Sequence, residues 1–203
     1  MQEDDWPGED NPWTVLAPPK RSFENDWFAI EEQDVLKPNG APGYYGVVRF
    51  RRVAVGVLPI EADGLVHLVG QWRFPLGRYS WEMPEGGAEP GEDPADCAGR
   101  ELAEETGLRA ADLVEILRMD LSNSITDEVS VLFLATGLTQ GEAAPEETEA
   151  LQRRSAHFSD VLARVADGRI TDCLTVAAIL RAHHMAVTGE LPEALAQAML
   201  APK

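Results

Sequence analysis

Residues 86–108 read "GGAEPGEDPADCAGRELAEETGL", and this stretch decides how the rest of the chain is interpreted. Its second part carries helix signals in the right order. Asp93 can cap an N-terminus, Pro94 suits a first helical position, and Gly107 supplies the left-handed residue that ends a helix. The signals predict a helix over 94–106, and Ala95, Ala98 and Leu102, with Ala103 beside them, recur at three to four residues to give it a face to bury. Glu101, Glu104 and Glu105 then fall on neighbouring turns of one face, where like charges cost roughly 0.2–0.5 kcal/mol per pair. Arg100 is the cation nearby. A hard divalent cation would remove that penalty, because Mg²⁺ takes oxygen ligands and shares its sphere between carboxylates and phosphate oxygens. On spacing alone, a solvated acidic helix face is the competing explanation. The glycines upstream, Gly86, Gly87 and Gly91, permit a tight loop that brings a carbonyl, or the carboxylate of Glu92, back over the helix face.

Outward from the helix, the preceding segments are strand-like. "WFAIEEQDVLKPNG" (27–40), "YYGVVRFRRVAVGVLPI" (44–60) and "LVHLVGQWRF" (65–74) are rich in β-branched and aromatic residues and are broken by the turn signals "KPNGAPG" and "EADG". They read as a meander. Downstream, "LVEILRMDL" and "EVSVLFLATGL" are strands, and helices are expected over 158–167 and 171–187. Strands, an acidic helix, then further strands and helices indicate an α+β fold. The division expected is a flexible acidic tail over 1–22, N-terminal strands over 23–46, the main domain over 47–190 and a C-terminal tail over 191–203.

The whole chain narrows the function classes. Its 203 residues suffice for one sizeable domain with an appendage, and 44% hydrophobic with 26% charged residues is a globular balance. No apolar run reaches the roughly 18 residues of a membrane span, and "MQEDDWPGEDNPW" shows no secretory pattern. Two cysteines make no disulfide framework, so a cytoplasmic location is expected. Thirty-five acidic against 17 basic residues, a net charge of -18, would repel a polyphosphate backbone, so nucleic acid is not expected as a partner. A small anion remains accessible if cations are recruited locally.

The stretch agrees with Gly-x5-Glu-x7-Arg-Glu-U-x-Glu-Glu-x-Gly-U, where U is an aliphatic residue, at Gly86, Glu92, Arg100, Glu101, Leu102, Glu104, Glu105, Gly107 and Leu108. It resembles the Nudix box. Nine fixed positions within 23 residues make the resemblance specific. What it implies is a Nudix hydrolase with an α/β/α sandwich, a mixed central sheet and an N-terminal β-meander. By the same resemblance Glu101, Glu104 and Glu105, with Glu85, bind Mg²⁺ or in its place Mn²⁺, and Glu104 and Glu105 take part in catalysis. Gly86, Glu92, Arg100 and Gly107 hold the motif together. The chemistry implied is attack by a metal-activated water on a nucleoside diphosphate linked to a further group.

From about Trp27 to Met185 the chain resembles the branch that contains ADP-ribose pyrophosphatases and nucleotide-sugar hydrolases. In "QWRFPLGRYSWEMPEGG", Arg73 matches an arginine for substrate phosphate and Glu82 a glutamate before the proline-containing loop. Arg51 and Glu128 match substrate-binding positions, and Glu147 or Glu149 of "APEETEALQ" the general base or an extra metal ligand. For each arginine a surface salt bridge is the alternative, and for the acidic loop a solvated surface. The sequence departs from the branch at Asn123, sixteen residues after Gly107, where a proline is usual; Ser122, Thr126 and Glu128 are kept. The substrate expected is therefore a nucleoside diphosphate sugar, GDP-mannose and ADP-sugars beside ADP-ribose. Alternatives are a dinucleotide or RNA-end pyrophosphohydrolase and a catalytically silent nucleotide-sugar-binding module. A homodimer is expected by the same resemblance.

Overall fold

The computed structural model describes residues 10–141 and 151–201. The chain divides into two compact units, Met1–Arg51 with Ser122–Asp127, and Arg52–Leu121 with Glu128–Lys203.

In the first unit, β2 (Lys20–Glu24), β3 (Phe28–Leu36) and β4 (Pro42–Phe50) form an antiparallel meander, and β1 (Thr14–Val15) adds to β3. The β3–β4 turn closes where Gly40, at φ 76°, donates its N–H to the Lys37 carbonyl at 2.8 Å. Residues 14–22 were expected to be tail. Within them β1 and the start of β2 are strand instead, because β3 offers its backbone: Thr14 pairs with Leu36, and Lys20 with Glu32. A strand edge satisfies backbone groups whatever the side chains, so composition hides this pairing.

Among its described residues the second unit holds two main sheets. One has the order β10–β11–β5–β8, from β5 (Ala54–Pro59), β8 (Glu85–Gly87), β10 (Asp112–Leu121) and β11 (Glu128–Thr136), with β11 and β5 parallel and the other pairs antiparallel. The other has the order β13–β6–β7, from β6 (Leu65–Arg73), β7 (Arg78–Glu82) and β13 (Gln152–His157). Short strands β9 (Leu108–Arg109) and β12 (Thr139–Gln140) pair with each other. Among the described residues four α-helices complete the unit: α1 (Pro94–Thr106), α2 (Phe158–Ala166), α3 (Cys173–Thr188) and α4 (Glu193–Leu200).

Period-two alternation along β5 and β11 divides the core. Val55, Val57, Val131 and Phe133 pack with Cys97, Ala98 and Leu102 of α1, whereas Leu58, Leu132 and Leu134 pack with Phe158, Ile179 and Met199 from the other helices. Both sheet faces are covered, which is why "VLFLA" of β11 reads as a continuous apolar run. The expected α/β/α sandwich with a mixed sheet is what forms. The stretch 44–60, read as one strand-like segment, breaks at residues 51–53 into β4 and β5. Residues 191–203 were expected to be a tail, yet α4 buries Ala196 and Met199 in the core, with Leu191 and Leu195 packed against it. Among the described residues no helix is long and apolar enough to cross a membrane.

Candidate active site

The helix α1 begins and ends where its capping residues require. Asp93 Oδ1 accepts the Ala95 N–H at 2.8 Å, and Gly107, at φ 78°, donates its N–H to the Ala103 carbonyl at 2.9 Å. Burying Cys97, Ala98 and Leu102 fixes the rotation of the helix, and that rotation also turns Glu105 inward, leaving it 1% exposed. Arg100 gathers the remaining acids of the motif. Its Nε and Nη2 donate to the two oxygens of Glu92 at 3.0 and 3.1 Å, while Nη1 donates to Glu101 at 2.8 Å and Glu104 at 3.0 Å. These guanidinium hydrogen bonds hold the Glu92 carboxyl below the usual carboxylate range. The motif's like charges are thus tied by one cation.

Strand β8 closes over the helix. A Cβ on Gly86 would lie 2.0 Å from Glu101 Oε1, so glycine alone lets the backbone approach that carboxylate. One residue earlier, the Glu85 N–H donates to Glu105 Oε2 at 3.1 Å. From the end of α1, the Glu105 carbonyl accepts a hydrogen bond from Arg153 Nε at 2.5 Å.

A second acidic group stands beside Glu85. Arg73 Nε donates to both oxygens of Glu82 at 3.0 Å, and its Nη2 donates to Glu82 at 2.6 Å and to Glu85 Oε1 at 2.5 Å. Asp172, the N-cap of α3, completes the group: one carboxylate oxygen from each of Glu82, Glu85 and Asp172 lies within 4.8 Å of the others. Asp172 Oδ2 accepts the Thr175 N–H at 2.7 Å, and Thr175 Oγ1 accepts the Met83 N–H at 2.9 Å. Burial pushes the Glu85 carboxyl well above its ordinary value, and the neighbouring charges of Asp172 and Glu82 push it further. Its Oε2 is buried with no hydrogen-bond partner among the described residues.

Three carboxylates around one guanidinium, with an orphaned buried oxygen among them, leave negative charge in a desolvated place. Hard oxygen donors in that setting fit a divalent cation such as Mg²⁺. The structure therefore brings Arg73, Glu82, Glu85 and Glu105 together by hydrogen bonds, and gathers Glu101, Glu104 and Glu92 on Arg100. Arg73, expected at a substrate phosphate, spends Nε and Nη2 on Glu82 and Glu85; Nη1 has no partner among the described residues. Glu128 opens β11 half-buried, and burial raises its carboxyl. Arg51 belongs to the first unit, where it pairs with Glu24 at 2.7 Å. Glu147 and Glu149 lie outside the described residues. Asp172 was not anticipated. Its signal was an aspartate ahead of the apolar run "CLTVAAIL", a cap with no hint of its acidic neighbours.

A NUDIX domain model matches residues 50–172. The chain is 36% identical over 149 residues to the ADP-ribose pyrophosphatase of Bacillus subtilis (strain 168), covering 72% of this chain and 80% of that protein. It is 33% identical over 152 residues to the methanol dehydrogenase activator of Bacillus methanolicus, covering 74% and 82%. A crystal structure of an ADP compounds hydrolase superposes with a TM-score of 0.80 at 21% identity, covering 91% of this chain and all of that one, which shows the shared fold. With its box intact on α1 and a domain match over more than half its length, the chain belongs to the Nudix family of hydrolases.

Proposed function

We propose that the chain hydrolyses the pyrophosphate of an ADP-sugar, with ADP-ribose the first candidate, to AMP and a sugar phosphate, with Mg²⁺ as cofactor. The observation that carries this reading is the unbroken set of box carboxylates, each held by a named donor: Glu101 and Glu104 by Arg100, and Glu105 by the Glu85 N–H. The likeness to the Bacillus subtilis ADP-ribose pyrophosphatase extends over most of both chains and supports the adenosine diphosphate class.

Glu101, Glu104, Glu105 and Glu85 would hold the metal, with Glu82 and Asp172 adding negative charge beside them. A bound divalent ion supplies charge neutralisation at the phosphate oxygens and a more acidic water. The protein's own residues do the positioning. Arg100 orients two carboxylates at once, Gly86 lets β8 lie against Glu101, and Arg153 anchors the last turn of α1. Arg73, held through two nitrogens, can turn Nη1 toward a substrate phosphate. Arg51 and Glu128 are assigned to substrate binding, and Glu147 or Glu149 to the base, on the family resemblance. In each unit large apolar side chains stand exposed, Trp13 and Trp27 in the first, Trp72, Phe74 and Leu76 in the second. Such surface favours association, and we assign the working form as a homodimer in the cytoplasm.

The test is phosphate release from ADP-ribose, ADP-glucose, GDP-mannose, UDP-glucose, NADH and diadenosine polyphosphates, with Mg²⁺ and an added phosphatase. Turnover of ADP-ribose or another ADP-sugar well above the rest is expected. Preference for GDP-mannose would overturn the adenosine assignment, and a blank panel with both Mg²⁺ and Mn²⁺ would overturn hydrolysis of this class.

A further inference from the structure

In the second unit, two hollows share the side chains of Arg154, Arg164 and Arg169: an open one of about 450 Å³ and a small one of about 50 Å³. Arg154 comes from β13, Arg164 from α2 and Arg169 from the turn that follows α2. Three guanidinia at one crevice are unexpected here, because acids outnumber bases 35 to 17 along the chain. Elsewhere in this unit Arg73, Arg100, Arg118 and Arg181 each hold a carboxylate. Among the described residues Arg154 and Arg164 form no ion pair, although Arg164 acts on Asp167 through space. Arg169 is bonded to Asp167, and Asp160 is the carboxylate that lines the open hollow.

We propose that this crevice is a binding site for a phosphoryl anion, either inorganic phosphate or a phosphomonoester. Planar guanidinium forks match phosphate oxygens two at a time, and such charge-assisted bonds are roughly twice as strong as neutral ones. Set against Asp160, and against Asp167 on Arg169, the three guanidinia leave one positive charge in excess, which favours an anionic phosphoryl group. Leu68, Trp81 and Ile170 line the small hollow and lower the local dielectric there, while Leu65, Ala156 and Ala163 of the open hollow give an organic substituent a surface to cover. None of these residues belongs to the acidic cluster on α1 and β8. That cluster repels phosphate unless metal is bound, whereas the arginine crevice takes it without metal.

The difference in metal requirement supplies the test. The full chain is titrated by calorimetry in EDTA and physiological chloride, with inorganic phosphate and AMP in parallel. Saturable binding is expected, weakened at least about tenfold in the double variant Arg154→Gln/Arg164→Gln, since hydrogen bonds between charged groups are the stronger ones. Arg118→Gln should bind as the parent does, and Asp160→Asn should bind more tightly. Equal affinities identify free phosphate as the ligand, and at least about tenfold tighter AMP identifies a phosphomonoester resting on that apolar surface. Absence of saturable binding in EDTA, or unchanged affinity in the double variant, would overturn the proposal.

Discussion

Gly86→Ala separates the architecture of the site from the stability of the fold. The added Cβ would sit 2.0 Å from Glu101 Oε1 and 2.2 Å from its Cδ, while ordinary contact begins at 3.4 Å. The carboxylate must therefore retreat by the difference, about 1.4 Å. The backbone has no reason to follow. Gly86 is not among the residues at positive φ, so alanine adopts its conformation without strain and keeps its register opposite Val55. The obstacle is the end of a flexible side chain, and displacing it costs the contact with Arg100 Nη1 at 2.8 Å. That pair is a third exposed on the arginine side, so its loss amounts to no more than about 1 kcal/mol. The reduced freedom of the unfolded chain returns about 0.4–1 kcal/mol. Net stability should stay within about 1 kcal/mol of the parent. Catalysis should not, because a displacement of about 1 Å in a positioned group costs on the order of 100-fold. The assay pairs kcat/KM for the accepted nucleotide sugar, at several Mg²⁺ concentrations, with urea unfolding. Parental kcat/KM in a variant whose unfolding curve superposes on the parent's would show that the placement of Glu101 is immaterial. A loss of several kcal/mol would show that β8 itself had moved.

Three further variants probe the same network and its surroundings. Glu105→Gln keeps an acceptor for the Glu85 N–H but removes a charge, so the fold should persist while turnover drops at least about 100-fold. The rise of the melting temperature with Mg²⁺, expected by mass action, should shrink in that variant; an unchanged rise would place the ion elsewhere. Arg73→Met leaves Glu82 and Glu85 buried without their guanidinium and should destabilise by about 3–5 kcal/mol, less in Mg²⁺, as urea unfolding with and without the ion would show. Glu190 is held down to about 2 from its ordinary 4.5 by Arg181 and Thr188. A carboxyl whose folded value is depressed stabilises above the unfolded value and loses that contribution as pH falls toward the folded one. The advantage of the parent over Glu190→Gln should accordingly be constant above pH 4.5 and vanish between 4.5 and 2, read from unfolding midpoints against pH. An advantage that persists at pH 2 would refute the assignment.

What was legible in the sequence was what is decided locally. Asp93, Pro94 and Gly107 act on backbone groups within a turn of themselves, and α1 runs from Pro94 to Thr106 as those residues dictate. Arg100 reaches its neighbour Glu101, Glu104 one turn on and Glu92 eight residues back, so the motif's internal bonding follows from its spacing. The strands at residues 14–24 and α4 at 193–200 were not legible, because each is held by a distant partner, β3 or the helical core, rather than by its own pattern. Arg73 was legible as a residue of the site, but its bonds to Glu82 and Glu85 depend on the β6–β7 hairpin, which pairs Arg73 with Arg78, and on the pairing of β8 with the distant β5.

Asp172 joins these two kinds of information. As the N-cap of α3 it does local work, accepting the Thr175 N–H, and any aspartate, asparagine or serine could do that. Its position is set by a longer connection: Thr175 accepts the Met83 N–H, and Met83 lies between Glu82 and the Pro84–Glu85 turn. Met83 is in turn fully buried against Gly56 of β5, where a Cβ would fall 2.1 Å from its methyl carbon. The first turn of α3 is thus keyed through one buried methionine to the strand that carries β8. An aspartate is the cap that also adds charge beside Glu82 and Glu85, at a cost in repulsion that a neutral serine would avoid. Retaining the carboxylate at that position is physically sensible when a cation shares the space, which is why the cap of a C-terminal helix belongs with the motif some seventy residues earlier.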